Sequence, residues 1–257
     1  MKNTGKAKAT RFPVPPQMSH DLNTVTIIIR STLKYPLPIL SAVRAPSLGA
    51  VDVYTDISGH IIANPSMGIY IPSRRTERPL VASLAFPRSF LTMSDENGKK
   101  VFNKTTMLEG LAFLTVMCLD SLTFVECESL FHIDNIATTI TLDKGYSTDP
   151  WATTVVRAGR VEAAGIGCSL YSVWERRRSS RPSRIADDLT HNLLTELTNE
   201  EVSSLLDFGQ VSFPLPILQW MANPGTDQSL GCRCLNWVRE QQLGLKLLRP
   251  KLYKNHE

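Results

Sequence analysis

Four acidic residues lie far apart along the chain, and each stands at the end or the beginning of a predicted element. They are Asp56 in VDVYTDISG, Glu109 in TTMLEGLAF, Asp134 in LFHIDN and Asp187 in RIADDLTH. Three of them adjoin apolar stretches that we expect to be buried. Carboxylates gathered at the edge of a core repel one another, and hard divalent ions such as Mg²⁺ take oxygen ligands and activate water for attack on phosphorus. The four acids therefore predict a divalent-metal site that acts on nucleic acid.

Two of these acids have neighbours that could serve as the ligand instead. Asp52 lies on the same predicted strand face as Asp56 and is the alternative to it, although the YTD context favours Asp56. Asp188 is likewise the alternative to Asp187. Both choices stay open at the level of the sequence.

Three of the acids also have a purely structural interpretation. Glu109 follows Thr106 by three residues and could complete a capping box. Asp134 and Asn135 could simply cap the next helix. The acids at 187–188 could favour a helix N-terminus through its dipole. The occurrence of all four acids in one chain favours the metal site over these separate explanations.

The elements that must position the acids follow from the periodicity of the apolar residues. AVDVYTD alternates with period two, as a strand does. Asp149-Pro150 suits the cap and first turn of a helix, and Gly145 suits a helix end. The pattern predicts strands over 50–56, 60–71, 81–90, 129–134 and 167–175, and helices over 105–119, 135–144, 150–164 and 185–197.

Two flanking segments differ from this α/β pattern. Residues 1–48 are basic and interrupted by prolines, with one short strand predicted over 24–30. Residues 198–257 favour one or two helices, the last near 228–245. We therefore predict a basic, extended arm at 1–48, an α/β catalytic domain at 49–197 and a helical C-terminal extension at 198–257.

The composition argues against several classes of protein. The five cysteines are an odd number, and Cys118 lies on an apolar helix face, so an intracellular location in the nucleus or cytoplasm fits better than a disulfide framework. No apolar run approaches the ~18–20 residues of a membrane helix. The N-terminus lacks a signal-peptide core. We expect no membrane partner.

Basic residues are clustered, although the formal charge is only +4. The densest cluster lies just before the last acid and contains Arg176, Arg177, Arg178, Arg181 and Arg184. Guanidinium groups bind phosphates through forked hydrogen bonds. The cluster therefore predicts contact with nucleic acid, and a solvated loop is the simpler alternative.

The order of the elements and the acids at their ends resemble the ribonuclease H superfamily over about residues 49–191. The sequence is most similar to the RNase H domains of retroelements, of the tyrosine-recombinase retrotransposon and pararetrovirus type. YTDIS resembles the first-strand motif, TTMLEGLAF the helix that bears a glutamate, HIDNIATTITLDKG the DN-helix-KG segment and IADDLTH the closing motif. The resemblance implies an α/β, RNase H-like fold with a mixed five-stranded sheet flanked by helices.

The resemblance also implies a chemistry and a substrate. Asp56, Glu109, Asp134 and Asp187 would be the catalytic residues and would hold two Mg²⁺ or Mn²⁺ ions, with Asp56 bridging both. One ion would activate the attacking water and the other would stabilise the leaving 3′ oxygen. The expected activity is endonucleolytic cleavage of the RNA strand of RNA–DNA hybrids.

Contacts to the nucleic acid are expected next to the acids. Asn135 and Thr138 follow the third acid and could contact 2′-hydroxyls, which distinguish RNA from DNA. The arginines at 176–184 would contact phosphates. A reverse transcriptase or another protein is the further partner that the resemblance suggests.

The sequence departs from the family at three points. Ile57 stands where glycine is common. Residues 175–186 lack the histidine that many cellular members have, and His191 is the nearby substitute. The 48 residues before the domain are too few for the polymerase expected there, so a fragment, a separate gene product and a domesticated copy all fit.

Two rival functions fit the same fold. A catalytically inactive or repurposed domain would bind nucleic acid or act as a scaffold, and its acids would lie apart or pair with an arginine. A metal-dependent DNA nuclease or structure-specific nuclease would keep the ions and act on another substrate.

Overall fold

The computed structural model describes residues 49–58, 65–73, 78–208 and 212–252. The predicted arm at 1–48, with its strand at 24–30, lies outside the described residues. The beginning of the strand predicted at 60–71 does so as well.

A mixed sheet of five strands forms the centre of the described part. The strands are β1 (Val51–Ile57), β2 (Ser66–Ile71), β3 (Leu80–Ala85), β4 (Glu128–Ile133) and β5 (Ser169–Trp174). Their order across the sheet is β3-β2-β1-β4-β5. β1, β2 and β3 are antiparallel neighbours, whereas β4 is parallel to β1 and β5 is parallel to β4. The predicted fold class, a mixed five-stranded α/β sheet flanked by helices, is confirmed.

Nine α-helices within the described ranges connect and follow the strands. They are α1 (Arg88–Thr92), α2 (Thr105–Leu119), α3 (Ser121–Phe124), α4 (Ile136–Lys144), α5 (Pro150–Ile166), α6 (Arg181–Thr190), α7 (Asn199–Phe208), α8 (Leu215–Ala222) and α9 (Leu230–Leu252). A 3₁₀ turn at Val101–Asn103 precedes α2. Among these helices, none has both the length and the apolar character needed to cross a membrane.

Helices α2 and α5 cover one face of the sheet and form the main core with it. Every residue of α2 from Met107 to Cys118 is buried, as expected for a helix that is apolar on all sides. The two helices approach closely because Gly159 has no side chain: a Cβ atom there would stand 2.2 Å from the Phe113 ring. The acid carried by α2 is therefore held inside the core.

Helices α6 and α7 cover the opposite face. Ile185, Ala186 and Leu189 of α6 pack on Tyr70 and Val81 of the sheet, and α7 lies along β3. The alternation of side chains along each strand separates this smaller cluster from the main core. The last predicted acid therefore approaches the sheet from the face opposite to α2.

The parallel pairing of β1 and β4 brings two acids to the same edge of the sheet. The register aligns Tyr54 of β1 with His132 of β4. Asp56 and Asp134 each follow two residues later, so they lie beside each other where the two strands end.

Several predicted boundaries were wrong. β3 ends at Ala85 rather than at residue 90, because Pro87 starts α1 there. α6 begins at Arg181 rather than at residue 185, because Ser180 and Ser183 form a capping box one turn before the first apolar residue. It ends at Thr190 rather than at residue 197, since the chain turns at Asn192, whose φ is 57°.

The C-terminal segment contains three helices where one or two were predicted. α9 packs along α5, and Gly165 and Gly231 allow the approach: a Cβ atom on Gly165 would meet Leu235 at 2.5 Å. Trp220 of α8 is fully buried against Phe90 and Trp151. Helices α8 and α9 therefore extend the main core, whereas α7 packs on the opposite face of the sheet.

Candidate metal centre

Asp56, Glu109 and Asp134 meet at the edge of the sheet. One carboxylate oxygen from each lies within 4.8 Å of the others, and in the described part of the chain no other group of three or more acidic, histidine or cysteine side chains is placed to hold an ion. β1, α2 and the end of β4 supply one acid each. Three segments separated by dozens of residues thus build a single oxygen-lined site.

Glu109 does not complete a capping box. The N-cap of α2 is Lys104, with no side-chain cap, and Glu109 lies in the second turn. Its side chain is 2% exposed, and within the described residues Oε2 has no hydrogen-bond partner. A buried carboxyl oxygen without a partner costs free energy. A cation between Glu109 and the other two acids would remove that cost.

Asp134 is not the cap of α4 either. Asn135 takes that role, its side chain accepting a hydrogen bond from the Thr138 backbone N–H at 3.2 Å. The carboxyl group of Asp134 is therefore free to face Asp56 and Glu109. Its backbone oxygen accepts a hydrogen bond from Nε1 of Trp174 at 2.9 Å, which fixes the end of β4 against β5.

Asp52 and Asp56 have different surroundings. Asp52 is half exposed and accepts from Nε2 of His132 at 2.9 Å, whereas Asp56 is buried within the acid group. The other ring nitrogen, Nδ1 of His132, lies 2.8 Å from Glu175, and the ring stacks on Tyr54. The geometry favours Asp56 as the ligand, and both nitrogens of His132 are engaged.

Asp187 lies beside the other acids but is paired with arginines. It is the seventh residue of α6, so the interpretation of acids in the first turn of a helix was wrong. Its Oδ1 accepts from Nε of Arg177 at 2.7 Å, and its Oδ2 accepts from Arg178. Arg178 also contacts Asp188 at 2.7 Å. Asp187 therefore approaches Asp56 but does not join the three-acid group.

The pKa values reflect this crowding. Burial raises the pKa of Asp56 to about 7, with further increases from Asp187 and Asp134 and a decrease from Arg177. Burial, then Asp56 and Asp134, raise the pKa of Glu109 well above its usual range, and burial raises that of Asp134. Burial and mutual repulsion therefore oppose ionisation of the three carboxyl groups. A bound cation would lower their pKa values and favour the ionised form.

The pKa of Asp187 shifts in the opposite direction. Burial tends to raise it, but hydrogen bonds with Asp56, Arg177 and Arg178 outweigh burial and lower the pKa to about 2. Asp187 is thus an anion with cationic partners already in place, whereas Glu109 has no ion-pair partner within the described part of the chain and is affected by Arg177 only at a distance.

The arginine cluster is mostly engaged within the protein. Arg181 binds both carboxylate oxygens of Glu201, at 3.1 and 2.7 Å, and Arg184 binds Glu196 at 2.7 Å. Arg176 is exposed. Arg177 and Arg178 face Asp187, half exposed to solvent.

The two other predicted nucleic-acid contacts differ from each other. Asn135 is partly exposed at the rim of the site. Thr138 is fully buried, so its side chain does not reach the surface, and that prediction was wrong for the described conformation. His191 is the exposed C-cap residue of α6 and does not line the cleft beside the acids.

A small cleft opens beside the acids. It is lined by Asp56, Asp134, Arg177, Arg178 and neighbours from β1, β4 and α6, and its volume is about 20 Å³. That volume accommodates about one water molecule. The cleft is too small to admit a phosphate group, so a larger ligand could only contact its mouth.

The donor set fits a hard divalent ion. Mg²⁺ and Mn²⁺ prefer carboxylate oxygens, and Mg²⁺ is usually bound by one or two of them together with water. Asp56, Glu109 and Asp134 offer such oxygens, and Oε2 of Glu109 has no other partner among the described residues. Both oxygens of Asp187 are already occupied by guanidinium groups.

Sequence reasoning missed the contacts that three residues make at the site. Arg177 contacts Asp56, 121 positions away, Trp174 contacts Asp134, and His132 joins Asp52 to Glu175. Contacts between side chains this far apart leave no local pattern. The one available signal was the run of three arginines at 176–178, which was interpreted chiefly as a phosphate contact; pairing of an acid with an arginine was named only for the rival, inactive domain.

Comparison with known proteins finds a weak similarity at the level of structure. No family model and no curated protein matches the sequence. Among solved structures, the chain is similar to RNase H1 from the halophilic archaeon Halobacterium salinarum NRC-1, at 17% identity and a TM-score of 0.37, over 58% of this chain and 100% of that chain. A similarity this low says nothing about activity.

Proposed function

We propose that this chain is a divalent-metal-dependent nuclease of the RNase H type that hydrolyses the RNA strand of RNA–DNA hybrids. The observation that carries the proposal is the buried carboxyl group of Glu109. It faces Asp56 and Asp134 at the end of two parallel strands, and its Oε2 has no partner within the described residues.

An ion explains why this arrangement is stable. Three buried acids without a cation would have to retain protons, at a cost in desolvation and lost hydrogen bonds. A structural role for Glu109 would need a partner for Oε2, and none is present in the described part of the chain. Burial of a carboxylate against two others is the arrangement expected for ligands of a divalent ion.

The residues of the chain would hold the ion and the substrate in place. Asp56, Glu109 and Asp134 would ligate Mg²⁺ or Mn²⁺, and Asp187 would join a second ion. Bound at such a site, an ion supplies Lewis-acid activation of water and of the phosphoryl group. Trp174 would keep Asp134 in position through its backbone oxygen.

The substrate preference rests on the resemblance of the sequence motifs to RNase H domains. Asn135 at the rim is a candidate for 2′-hydroxyl contact, and exposed Arg176 for phosphate contact. Arg177 and Arg178 are half exposed. They would also contact phosphates once phosphate replaces their carboxylate partners. A reverse transcriptase or another protein would be a partner of this chain in the same activity.

The test is a cleavage assay with the purified full chain. Four labelled substrates are compared in Mg²⁺, Mn²⁺ and EDTA: an RNA–DNA hybrid, duplex DNA, duplex RNA and single-stranded RNA. We expect cleavage of the RNA strand of the hybrid with either ion and none in EDTA. Cleavage of duplex DNA instead would replace the hybrid with a DNA substrate on the same metal centre.

A matched pair of variants links the activity to the site. Asp56→Asn and Asp134→Asn should lose at least 100-fold, on the scale of an electrostatic group removed from an active site, about 10²–10³. Asp52→Asn on the same strand face should retain activity, since an amide can still accept from His132. Absence of cleavage by the wild type with both ions would end the proposal.

One observation favours a second function. Arg177 links Asp56 to Asp187, and a domain that had lost its ions would pair its acids in this way. Such a domain would bind nucleic acid or act as a scaffold without cutting. Its binding would survive EDTA and fall steeply with salt, as phosphate contacts do, whereas the nuclease should need the ion for both binding geometry and cleavage.

A further inference from the structure

Arg177 and Arg178 occupy both oxygens of Asp187. Oδ1 accepts from Nε of Arg177 at 2.7 Å and also from its Nη2, and Oδ2 accepts from Nη1 of Arg178. Nη2 of Arg177 also donates to Oδ2 of Asp56 at 3.1 Å. The guanidinium of Arg177 therefore lies between two of the four acids, with its positive charge shared by both.

The turn that carries these arginines is held in place by side-chain hydrogen bonds at both ends. Oε1 of Glu175 accepts from the hydroxyls of Ser179 at 2.9 Å and Ser180 at 2.5 Å. Oε2 of Glu175 contacts His132 at 2.8 Å. Ser180 is at the same time the N-cap of α6. Both ends of the 176–178 segment are therefore anchored, one to the sheet and the other to the helix of Asp187.

Arg178 has an unusual backbone conformation within that turn. Its φ is 58°, a left-handed conformation that is uncommon for a residue other than glycine. The ion pairs of its side chain with Asp187 and Asp188 accompany this conformation. The turn thus points two successive arginines toward the acids.

Charge balance decides how many divalent ions fit beside Arg177. The four acids carry four negative charges when ionised, and Arg177 contributes one positive charge. One divalent ion then leaves a net charge of −1 (−4 + 1 + 2). With Arg177 still in place, a second ion would bring the net charge to +1. It would also need the oxygens of Asp187 that both arginines occupy. The arrangement therefore accommodates one ion readily and opposes a second.

From this geometry we infer that Arg177, assisted by Arg178, is an internal counter-ion that occupies the place of the second divalent ion. In the free protein a single ion binds, at Asp56, Glu109 and Asp134. Asp187 becomes a ligand only when nucleic-acid phosphates take over the two guanidinium groups. The inference rests on the proposed function and adds to it a requirement for substrate before the second ion binds.

The exchange of carboxylate for phosphate is physically reasonable. The side chains of Arg177 and Arg178 are 50% and 45% exposed, so they can leave Asp187 without opening the core. Guanidinium binds phosphate with the same forked geometry and comparable strength as carboxylate. A polyanion placed across the cleft therefore competes directly with Asp187 for both arginines.

The test counts Mn²⁺ ions bound to the full chain at pH 8, by electron paramagnetic resonance of free Mn²⁺ and by calorimetry. We expect one ion on the wild type and two on Arg177→Gln/Arg178→Gln. Arg176→Gln is the matched control for ion binding to the free protein: it lies in the same turn, has no acid partner within the described residues, and should bind one. Adding Asp187→Asn to the double variant should return the count to one.

The second part of the experiment repeats the ion count in the presence of nucleic acid. A 2′-O-methyl RNA–DNA hybrid, which lacks the free 2′-hydroxyl, should raise the count on the wild type from one to two, with no change on the double variant. Two ions on the free wild type, or one on the double variant, would overturn this inference alone. No ion on any protein would overturn it together with the proposed metal centre. Circular dichroism confirms that each variant is folded.

Discussion

Gly68 of β2 and Ala186 of α6 approach so closely that a Cβ atom on Gly68 would stand 2.0 Å from the carbonyl oxygen of Ala186. Gly68 is also the residue opposite Asp56 in the β1–β2 ladder, and Ala186 directly precedes Asp187. The absence of a side chain at residue 68 therefore allows α6 to bring its acid against the sheet beside Asp56.

Gly68→Ala should displace α6 and destabilise the protein. The contact involves backbone on both sides, so it cannot be relieved by a side-chain rotation, and overpacking of this kind costs about 1–3 kcal/mol. Urea unfolding measures the change. Gly225→Ala is the control, since nothing lies within 4 Å of a Cβ atom there. Equal stability of the two variants would show that α6 is not packed this tightly.

Stability of the metal-free protein should fall as the pH rises from about 4 to about 7. The pKa of Asp56 is raised from 3.8 to about 7, so in this window the folded protein binds more protons than the unfolded chain. Unfolding free energy decreases with pH where that is so. The loss that Asp56 contributes is complete above about pH 7. Asp187, with a pKa lowered to about 2, acts in the opposite direction only at pH values below this window.

Urea unfolding in EDTA at pH 5 and pH 8 tests this dependence. The wild type should lose more unfolding free energy between the two pH values than Asp56→Asn, because the amide does not titrate. Asp52→Asn should keep the wild-type slope. Mg²⁺ at pH 8 should restore stability to the wild type and not to Asp56→Asn. A slope unchanged by Asp56→Asn would assign the titration to other groups.

The two helices between Asp134 and Asp187 were predictable because the signals at their ends are local. Asp149 caps α5 through the backbone N–H groups of Trp151 and Ala152, and Gly145 ends α4 with a φ of 77°. Such signals act over a few residues, so one chain segment contains all the information. The parallel pairing of β1 with β4 then brings Asp56 and Asp134 together.

The predicted start of α2 at residue 105 is confirmed, but the capping box proposed for it is wrong. Its N-cap, Lys104, is buried and held by Asp95 and Asp149, each at 2.6 Å. Those partners lie 9 and 45 positions away, so tertiary contacts rather than a local capping box fix the first turn. This frees Glu109 from a capping role, and the sequence could not reveal that.

The partners of Asp187 were hidden for a related reason. The arginines lie only 9 or 10 positions before it, but their orientation depends on the turn fixed by Glu175, Ser179 and Ser180. A run of three arginines before an acid is compatible with solvent, phosphate or carboxylate contacts. The choice among them is made by the fold.

Trp174→Phe should weaken ion binding at the three acids. The change removes the indole donor that binds the backbone oxygen of Asp134 at 2.9 Å, and one such hydrogen bond contributes about 1 kcal/mol. We expect Mn²⁺ affinity to fall about fivefold, since 1.4 kcal/mol is tenfold. Val173→Ala, an exposed neighbour on the same strand, should leave affinity unchanged. Unaltered affinity in Trp174→Phe would mean that Asp134 is positioned by other contacts.

Glu162→Met should stabilise the protein, in contrast to the changes at the acid site. Glu162 of α5 is completely buried, and within the described residues neither of its carboxylate oxygens has a hydrogen-bond partner. Burial raises its pKa from 4.5 to about 8, against a lowering by Arg239. Methionine is unbranched, apolar and of similar length. Replacing the unsatisfied carboxyl group with it should raise the free energy of unfolding by about 1–3 kcal/mol.

The pH dependence separates this effect from a general gain in helix stability. Between about 4.5 and 8 the folded protein retains the Glu162 proton that the unfolded chain loses, so the carboxyl group destabilises the wild type increasingly until about pH 8. The gain from Glu162→Met, measured by urea unfolding, should therefore be larger at pH 9 than at pH 5. Glu240→Met on the exposed side of α9 should change stability by less than about 0.5 kcal/mol. A loss of stability in Glu162→Met would show that this carboxyl group has a buried polar partner, such as an ordered water, that methionine leaves without its hydrogen bond.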